Sequence, residues 1–290
     1  MQKVTKQLIR FDWAMKKLLR HKANFDILEG FLSELLSESI KIKQVLDSES
    51  NKETENDKHN RVDILVENSK NELVIIEIQN SKEYDYFHRI LFGTSKAITE
   101  HIKEGEAYAA VKKVISITIA YFDLGQGKDY VYHGTTNFKG IHKGDILNLA
   151  ERQKQLYHKN NPSQIFPEYY LIKVSKFGNR IKDKLDEWIY FLKNGEVKEG
   201  FTAQGLSEAK EKLDEMQLSE SDRKIYHKYL KSLREIASEQ HTKIADAEEQ
   251  ILIATKKRDI EIATKMKSGG ESIDRIREYT GLSEDEIRRL

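Results

Sequence analysis

Two carboxylates carry the chemistry that this residue pattern can support. Asp63 lies in Arg61-Val62-Asp63-Ile64-Leu65-Val66, and Glu77 in Val74-Ile75-Ile76-Glu77-Ile78-Gln79. Each interrupts a run of β-branched and aliphatic residues, the pattern of a buried strand. A carboxylate in such a run is costly to bury unless it is paired or holds a cation. The two acids are fourteen residues apart on what reads as one hairpin. Side chains alternate along 72–79, so Glu77 and Gln79 point the same way, about 7 Å apart. If 61–67 is the antiparallel neighbour, Asp63 reaches that side too. Asp63, Glu77, the Ile78 backbone carbonyl and waters would make an all-oxygen site. Such a site suits Mg²⁺, with Mn²⁺ as a substitute, and argues against Zn²⁺. A cation held there lowers the pKa of water and stabilises charge on a phosphodiester.

Several neighbours have plainer readings. Asp63 alone could be a strand-end residue paired with Arg61. Arg89, Lys96 and Lys103 could form a phosphate-binding stripe or a solvated helix face. The same choice applies to Lys16 and Lys17. His88 is not needed as a base beside a cation-activated water. Tyr84, Tyr86 and Phe87 read as packing residues rather than base-stacking ones.

The elements that must position the acids follow from periodicity. Phe11 to Leu19 reads as a short helix. Asn24 to Glu38 reads as a second, with Ile27, Leu28, Phe31, Leu32, Leu35 and Leu36 at helical spacing. Strands are expected at 40–46, 61–67, 72–79, 114–122, 129–133 and 169–174, with a polar loop from Asp47 to Asn60. A helix from Tyr84 to Lys103 separates the third strand from the fourth. That strand–helix–strand crossover implies a mixed sheet with helices packed on it.

Residues 206 to 268 contain neither Gly nor Pro and are dense in Glu, Lys and Ala. They read as helix: 206–218, 223–237 capped by Ser219, and a weakly heptad, solvated stretch at 242–265. Ile273, Ile276 and Tyr279 form a face of a further helix closed by Gly281, and Ser283 with Glu286 makes a capping box for the last one. Three parts are expected: an α/β part over 1–178, a helical extension over 179–268 and a small helical element over 269–290.

Composition bounds the function classes. The chain has 290 residues, 38% hydrophobic and 33% charged, with a net charge of +1. Any nucleic-acid contact must therefore come from local patches. With no cysteine, disulfides, thiolate metal sites and Cys nucleophiles are excluded. No apolar run approaches the ~20 residues of a membrane span. Met1 to Lys6 lacks the apolar core of a signal peptide, so a soluble cytoplasmic protein without membrane partners is expected.

Taken in order, these elements resemble the PD-(D/E)XK nuclease superfamily, whose restriction-endonuclease-like core runs αβββαβ. Its Asp stands on the second strand and its (D/E)-x-K on the third. The detailed match resembles the branch of recombination-promoting nucleases, also described as PD-(D/E)XK family transposases. Phe11-Asp12-Trp13-Ala14-Met15-Lys16 resembles its opening motif, and Val62-Asp63 with Glu77-Ile78-Gln79 its active-site strands. Arg89, Gly105-Glu106-Ala107-Tyr108 and Val114-Ile115-Ser116-Ile117 resemble its helix and following strand, and Leu171 to Phe177 its later strand. Gly269 to Leu290 resembles a small C-terminal element of many members.

The resemblance implies a bacterial mobile-element protein: a Mg²⁺-dependent endodeoxyribonuclease that breaks DNA, expected double-stranded, and promotes recombination. Asp63 and Glu77 would hold the metal and Gln79 would orient the water. Glu29, on the first core helix, is implied as a further metal ligand. Two departures stand out. Val62 replaces proline, which affects only the backbone. Gln79 replaces lysine, which removes a fixed positive charge beside the attacking water and the phosphate. Lys82, Arg89 and Lys96 are the candidate cations to substitute for it and to bind phosphate. The alternative is a catalytically inactive module of this fold that binds DNA or a protein partner. In the C-terminal pair, Arg275, Arg277, Arg288 and Arg289 are outnumbered by acids. Docking or self-association, including a homodimer through the helical part, suits it better than DNA reading.

Overall fold

The hairpin that carries the two acids is set by one buried asparagine. In the computed structural model, which describes residues 10, 11, 13–14, 22–46, 63–214 and 218–290, strand β2 (Ile64–Asn68) turns back into β3 (Leu73–Gln79). Asn68 Oδ1 accepts from the backbone N–H groups of Lys70 and Glu72, both at 2.9 Å. Its Nδ2 donates to Glu72 Oε2 at 2.9 Å. Asn71 takes the left-handed φ of 60° that closes the turn. The turn fixes an antiparallel register of Ile64 with Ile76 and Val66 with Val74. Continued by one residue, that register sets Asp63 opposite Glu77.

The chain builds a six-stranded sheet in the order β1-β2-β3-β4-β6-β5. The remaining strands are β1 (Ile42–Leu46), β4 (Val114–Ala120), β5 (Val131–Gly134) and β6 (Glu168–Lys173). Strands β3, β4 and β6 run parallel, while β1, β2 and β5 are antiparallel to their neighbours. The mixed α/β fold expected from the sequence is the fold found, and its αβββαβ order is complete. Helix α1 (Phe25–Leu36) precedes β1, and α2 (Tyr86–Glu100) makes the crossover from β3 to β4. Among the described residues, sequence reading missed the short α-helix α3 (Glu151–Tyr157), which buries nothing and so leaves no apolar period to read. The loop expected at 47–60 lies outside the described residues.

Strand β4 is buried along its whole length, the mark of a central parallel strand covered on both faces. Helix α2 packs on the face that carries Ile75 and Glu77. There Ala97 joins Leu65, Leu73, Ile75 and Val114, while Tyr86 and Ile90 join Ala120 and Leu124. A second apolar layer forms around Phe11, Phe31, Trp188 and Phe191, whose rings meet edge to face at 5.5–6.0 Å. Trp188 and Phe191 lie on α4 (Lys184–Asn194), next to α5 (Leu206–Lys212). Gly30 on α1 lets the 204–205 loop lie directly on the helix: a Cβ there would sit 2.2 Å from the Gln204 carbonyl oxygen.

The chain folds as two units, Met1–Leu218 and Ser219–Leu290. The segment after residue 178, expected to begin the helical extension, belongs with the first unit because its Trp188 and Gly205 pack on α1. In the second unit, α6 (Glu220–Ser268) is one continuous 49-residue helix where the sequence suggests two. Ser219 caps it, accepting from the Asp222 N–H at 3.1 Å. Helices α7 (Ile273–Thr280) and α8 (Glu284–Arg289) fold against its end around Ala263, Ile276, Leu282 and Ile287. Tyr279, expected on the buried face of α7, is instead 66% exposed; Thr280, one position on, is buried there.

One edge of the sheet is held by charge. Glu67, 3% exposed, accepts from Gln44 Nε2 at 2.8 Å and pairs with Lys43 and Lys112 at 3.1 and 3.2 Å. The Gln44 amide first, then the two ammonium groups, hold its carboxyl down to about 2 against the opposing effect of burial. A depressed folded-state pKa stabilises above the unfolded value of 4.5 and ceases to do so as pH falls through about 2. Wild type is therefore expected to melt above Glu67→Gln at pH 7, with the gap narrowing steadily below about pH 4.5. A gap that is constant down to pH 3 in thermal melts would contradict this role for Glu67.

Candidate active site

Asp63, half-buried just ahead of β2, accepts at Oδ2 from the Ile78 N–H at 2.6 Å. That bond follows from strand alternation. The Gln79 carbonyl accepts from the Tyr121 N–H, on the β4 side. The N–H and C=O of Ile78 therefore turn the other way, toward β2 and Asp63. The Ile78 carbonyl thus faces the Asp63 edge of the hairpin.

Glu77 is 8% exposed and accepts from the Tyr86 hydroxyl at 3.2 Å. Thr118, its neighbour in register on β4, lies by the same hydroxyl. Burial pushes the Glu77 carboxyl up; Arg89 and the Tyr86 hydroxyl pull it down, while Asp63 and Glu83 add to the rise. Tyr86 is itself pushed up, by burial and then by Glu77. Two acids that repel each other and a tyrosine that keeps its proton describe a pocket short of positive charge.

Gln79, two residues on and on the same face, donates from Nε2 to Glu83 Oε1 at 2.6 Å. Glu83 also receives Arg89 Nη1, at 3.1 Å to one oxygen and 3.2 Å to the other. The guanidinium stands over the Tyr86 ring at 5.7 Å. Burial works against its charge, but Glu77 and Glu83 outweigh that and hold it protonated more firmly than usual.

The structure thus gathers Asp63, Glu77, Gln79 and Arg89. It directs other expected residues elsewhere. Glu29, 8% exposed, accepts from Lys41 Nζ at 2.7 Å and from the Ile42 N–H at 2.9 Å, so both its oxygens fasten the start of β1 to α1. Lys96 pairs with Glu100 at 3.4 Å, and Lys82 Nζ lies over the Tyr84 ring at 4.9 Å. Lys103 lies beyond the end of α2. Lys16, Lys17, Arg61 and Val62 lie outside the described residues. The packing role read for three aromatics holds for Tyr86 alone: Tyr84 is 93% exposed and Phe87 51%.

Sequence reading missed Glu83, Thr118 and the polar role of Tyr86. Spacing offered a signal for one of them. Tyr86 and Arg89 are three apart on α2, which stacks them on one face. Glu83 sits in a loop, where periodicity says nothing. Among the described residues, no three or more His, Asp and Glu gather as a metal cage.

The αβββαβ sheet is a nuclease-type fold, with one acid just ahead of its second strand and one on its third. A family model described as PD-(D/E)XK nuclease family transposase matches residues 9–243, and the chain belongs to that family. No curated protein and no solved structure matches significantly. Among the described residues, no helix is long and apolar enough to cross a membrane.

Proposed function

We propose that the first unit is a divalent-metal-dependent DNA endonuclease. The observation that carries this reading is the register that sets Asp63 opposite Glu77, with Gln79 on the same face. A pair of carboxylates fits Mg²⁺ or Mn²⁺, since Mg²⁺ keeps most of its waters and takes only one or two protein carboxylates. When bound, the cation supplies charge stabilisation at the phosphodiester and acidifies water. Asp63, Glu77 and the Ile78 carbonyl would hold it; Glu29, committed to β1, is left out of this set. Gln79, with its Nε2 engaged by Glu83, presents Oε1 to accept from and orient the attacking water. Arg89 binds the phosphate and takes over the charge that lysine supplies in related sites. The setting is DNA breakage that promotes recombination, with duplex DNA as substrate.

The test is nicking of supercoiled plasmid with Mg²⁺ or Mn²⁺ by wild type, Asp63→Ala and Glu77→Ala. Nicking by wild type alone supports the enzyme; binding without nicking under any metal points to the inactive module.

Self-association is proposed for the second unit. Ile244 and Ile251, 59% and 66% exposed, lie seven apart on α6, with Lys243 and Glu248 at the flanking positions where charges meet in a parallel pair of helices. A second copy of the chain suits that face, and a monomer in sedimentation velocity at micromolar concentration would rule it out.

A further inference from the structure

Glu83 holds the two groups that the nuclease reading assigns to water and phosphate, and nothing in that reading gives it a task. Its carboxylate takes the Gln79 amide and spans both oxygens across Arg89 Nη1. A phosphate would take the same guanidinium through two of its nitrogens, whereas Glu83 brings both oxygens to one. Arg89 is meanwhile incompletely satisfied: its Nε is buried without a hydrogen-bond partner. The fork of a guanidinium binds best through two donors at once, and Glu83 uses one of its nitrogens and leaves Nε unused.

We propose that Glu83 is an internal stand-in for the DNA phosphate, a positioning residue that occupies Arg89 until substrate displaces it. The inference rests on the nuclease reading above and adds to it an order of events. In free protein, Glu83 neutralises Arg89 and fixes the Gln79 amide with Nε2 turned toward itself. When DNA arrives, a phosphate takes Arg89 from Glu83 and engages the nitrogen that Glu83 leaves unused. Glu83 keeps Gln79, so the amide stays oriented through the exchange. The loop supplies the freedom this needs: Glu83 lies between the end of β3 and the start of α2, and its side chain is one-third exposed. The exchange gives DNA binding a built-in competitor and keeps an exposed cation from drawing stray anions into the site.

Glu83→Gln separates the two roles. A glutamine oxygen still accepts from Gln79 Nε2, but the charge that competes for Arg89 is gone. Binding of a fluorescein-labelled duplex is measured by anisotropy in EDTA, across a range of salt, so that cleavage does not interfere. Glu83→Gln is expected to bind about tenfold tighter than wild type, with a salt dependence steeper by about one phosphate contact. Asp85→Asn, which removes an exposed charge from the same loop, controls for general electrostatics and should shift affinity no more than about twofold. In an Arg89→Ala background, Glu83→Gln should gain nothing. Glu83→Ala should also bind tighter, yet lose turnover beyond Glu83→Gln because Gln79 is freed. If wild type binds DNA and Glu83→Gln binds equally or more weakly, or gains as much without Arg89, the stand-in role is overturned and the nuclease reading stands. If no form binds DNA, both fall.

Discussion

Glu77→Gln is expected to abolish cleavage and to make the metal-free protein more stable. The two effects share a cause. Glu77 sits in a nearly closed pocket beside Asp63 and Glu83, with its carboxyl pushed up by burial and opposed chiefly by Arg89. Glutamine keeps the shape and an acceptor for the Tyr86 hydroxyl while removing a desolvated charge. Gains on the order of 1 kcal/mol, about 2–4 °C in melting temperature, are usual where a site is held strained for function. Mg²⁺ should then separate the two proteins in the opposite sense. Binding to the folded state raises wild-type stability by about 2.7 kcal/mol at a hundredfold excess over Kd, whereas Glu77→Gln, short of one carboxylate, should barely respond. Plasmid nicking should fall by about 10²-fold or more, since electrostatic stabilisation at the reacting phosphate is lost. Melting with and without Mg²⁺ reads this directly. A Glu77→Gln protein that melts below wild type in EDTA, or that Mg²⁺ stabilises equally, would show Glu77 to be a structural acid.

Much of this arrangement is legible in the sequence, for reasons that also explain what is not. Val74 to Ile78 and Val114 to Phe122 announce strands because a central parallel strand is buried on both faces and tolerates little but aliphatics. Against that background Glu77 is conspicuous. Alternation then ties Gln79 to it without any coordinates. The facing position of Asp63 needed the register, and the register is set by Asn68, whose buried side chain works through three hydrogen bonds that no periodicity encodes. Glu29 follows a related logic. An acid on an apolar helix face signals that something satisfies it, and here the Ile42 N–H and Lys41 do. Glu83 was invisible because loop residues carry no period, and its importance comes only from the two side chains it holds. The sequence suggests a break in the long α6 because only Tyr226 and Ala263 are buried along it, so its amphipathic signal fades between them.

The second large effect belongs to Arg89. On the proposed nuclease reading, the resemblance places lysine where Gln79 stands, so the pocket must find its positive charge elsewhere, and three residues could offer it. The structure separates them by what already occupies each. Lys96 is paired with Glu100 on the solvent side of α2, and Lys82 rests over an exposed tyrosine ring. Only the Arg89 charge acts on Glu77 strongly enough to oppose its burial. Arg89→Ala is therefore expected to lower cleavage by about 10²–10³-fold, the usual cost of removing one preorganised donor from developing charge. Lys82→Ala and Lys96→Ala should stay within a few-fold of wild type, as solvent-screened charges do. Arg89→Lys should recover part of the loss but not all, because an ammonium cannot engage Glu83 or a phosphate through a planar fork. Gln79→Lys in the Arg89→Ala background is the sharper measurement. It returns a cation to the strand position while leaving the helix position empty. Partial recovery of nicking there would show that the site requires a charge rather than a particular residue. If Lys96→Ala proves as damaging as Arg89→Ala, or if Arg89→Ala cleaves normally, the charge that replaces lysine does not reside on Arg89.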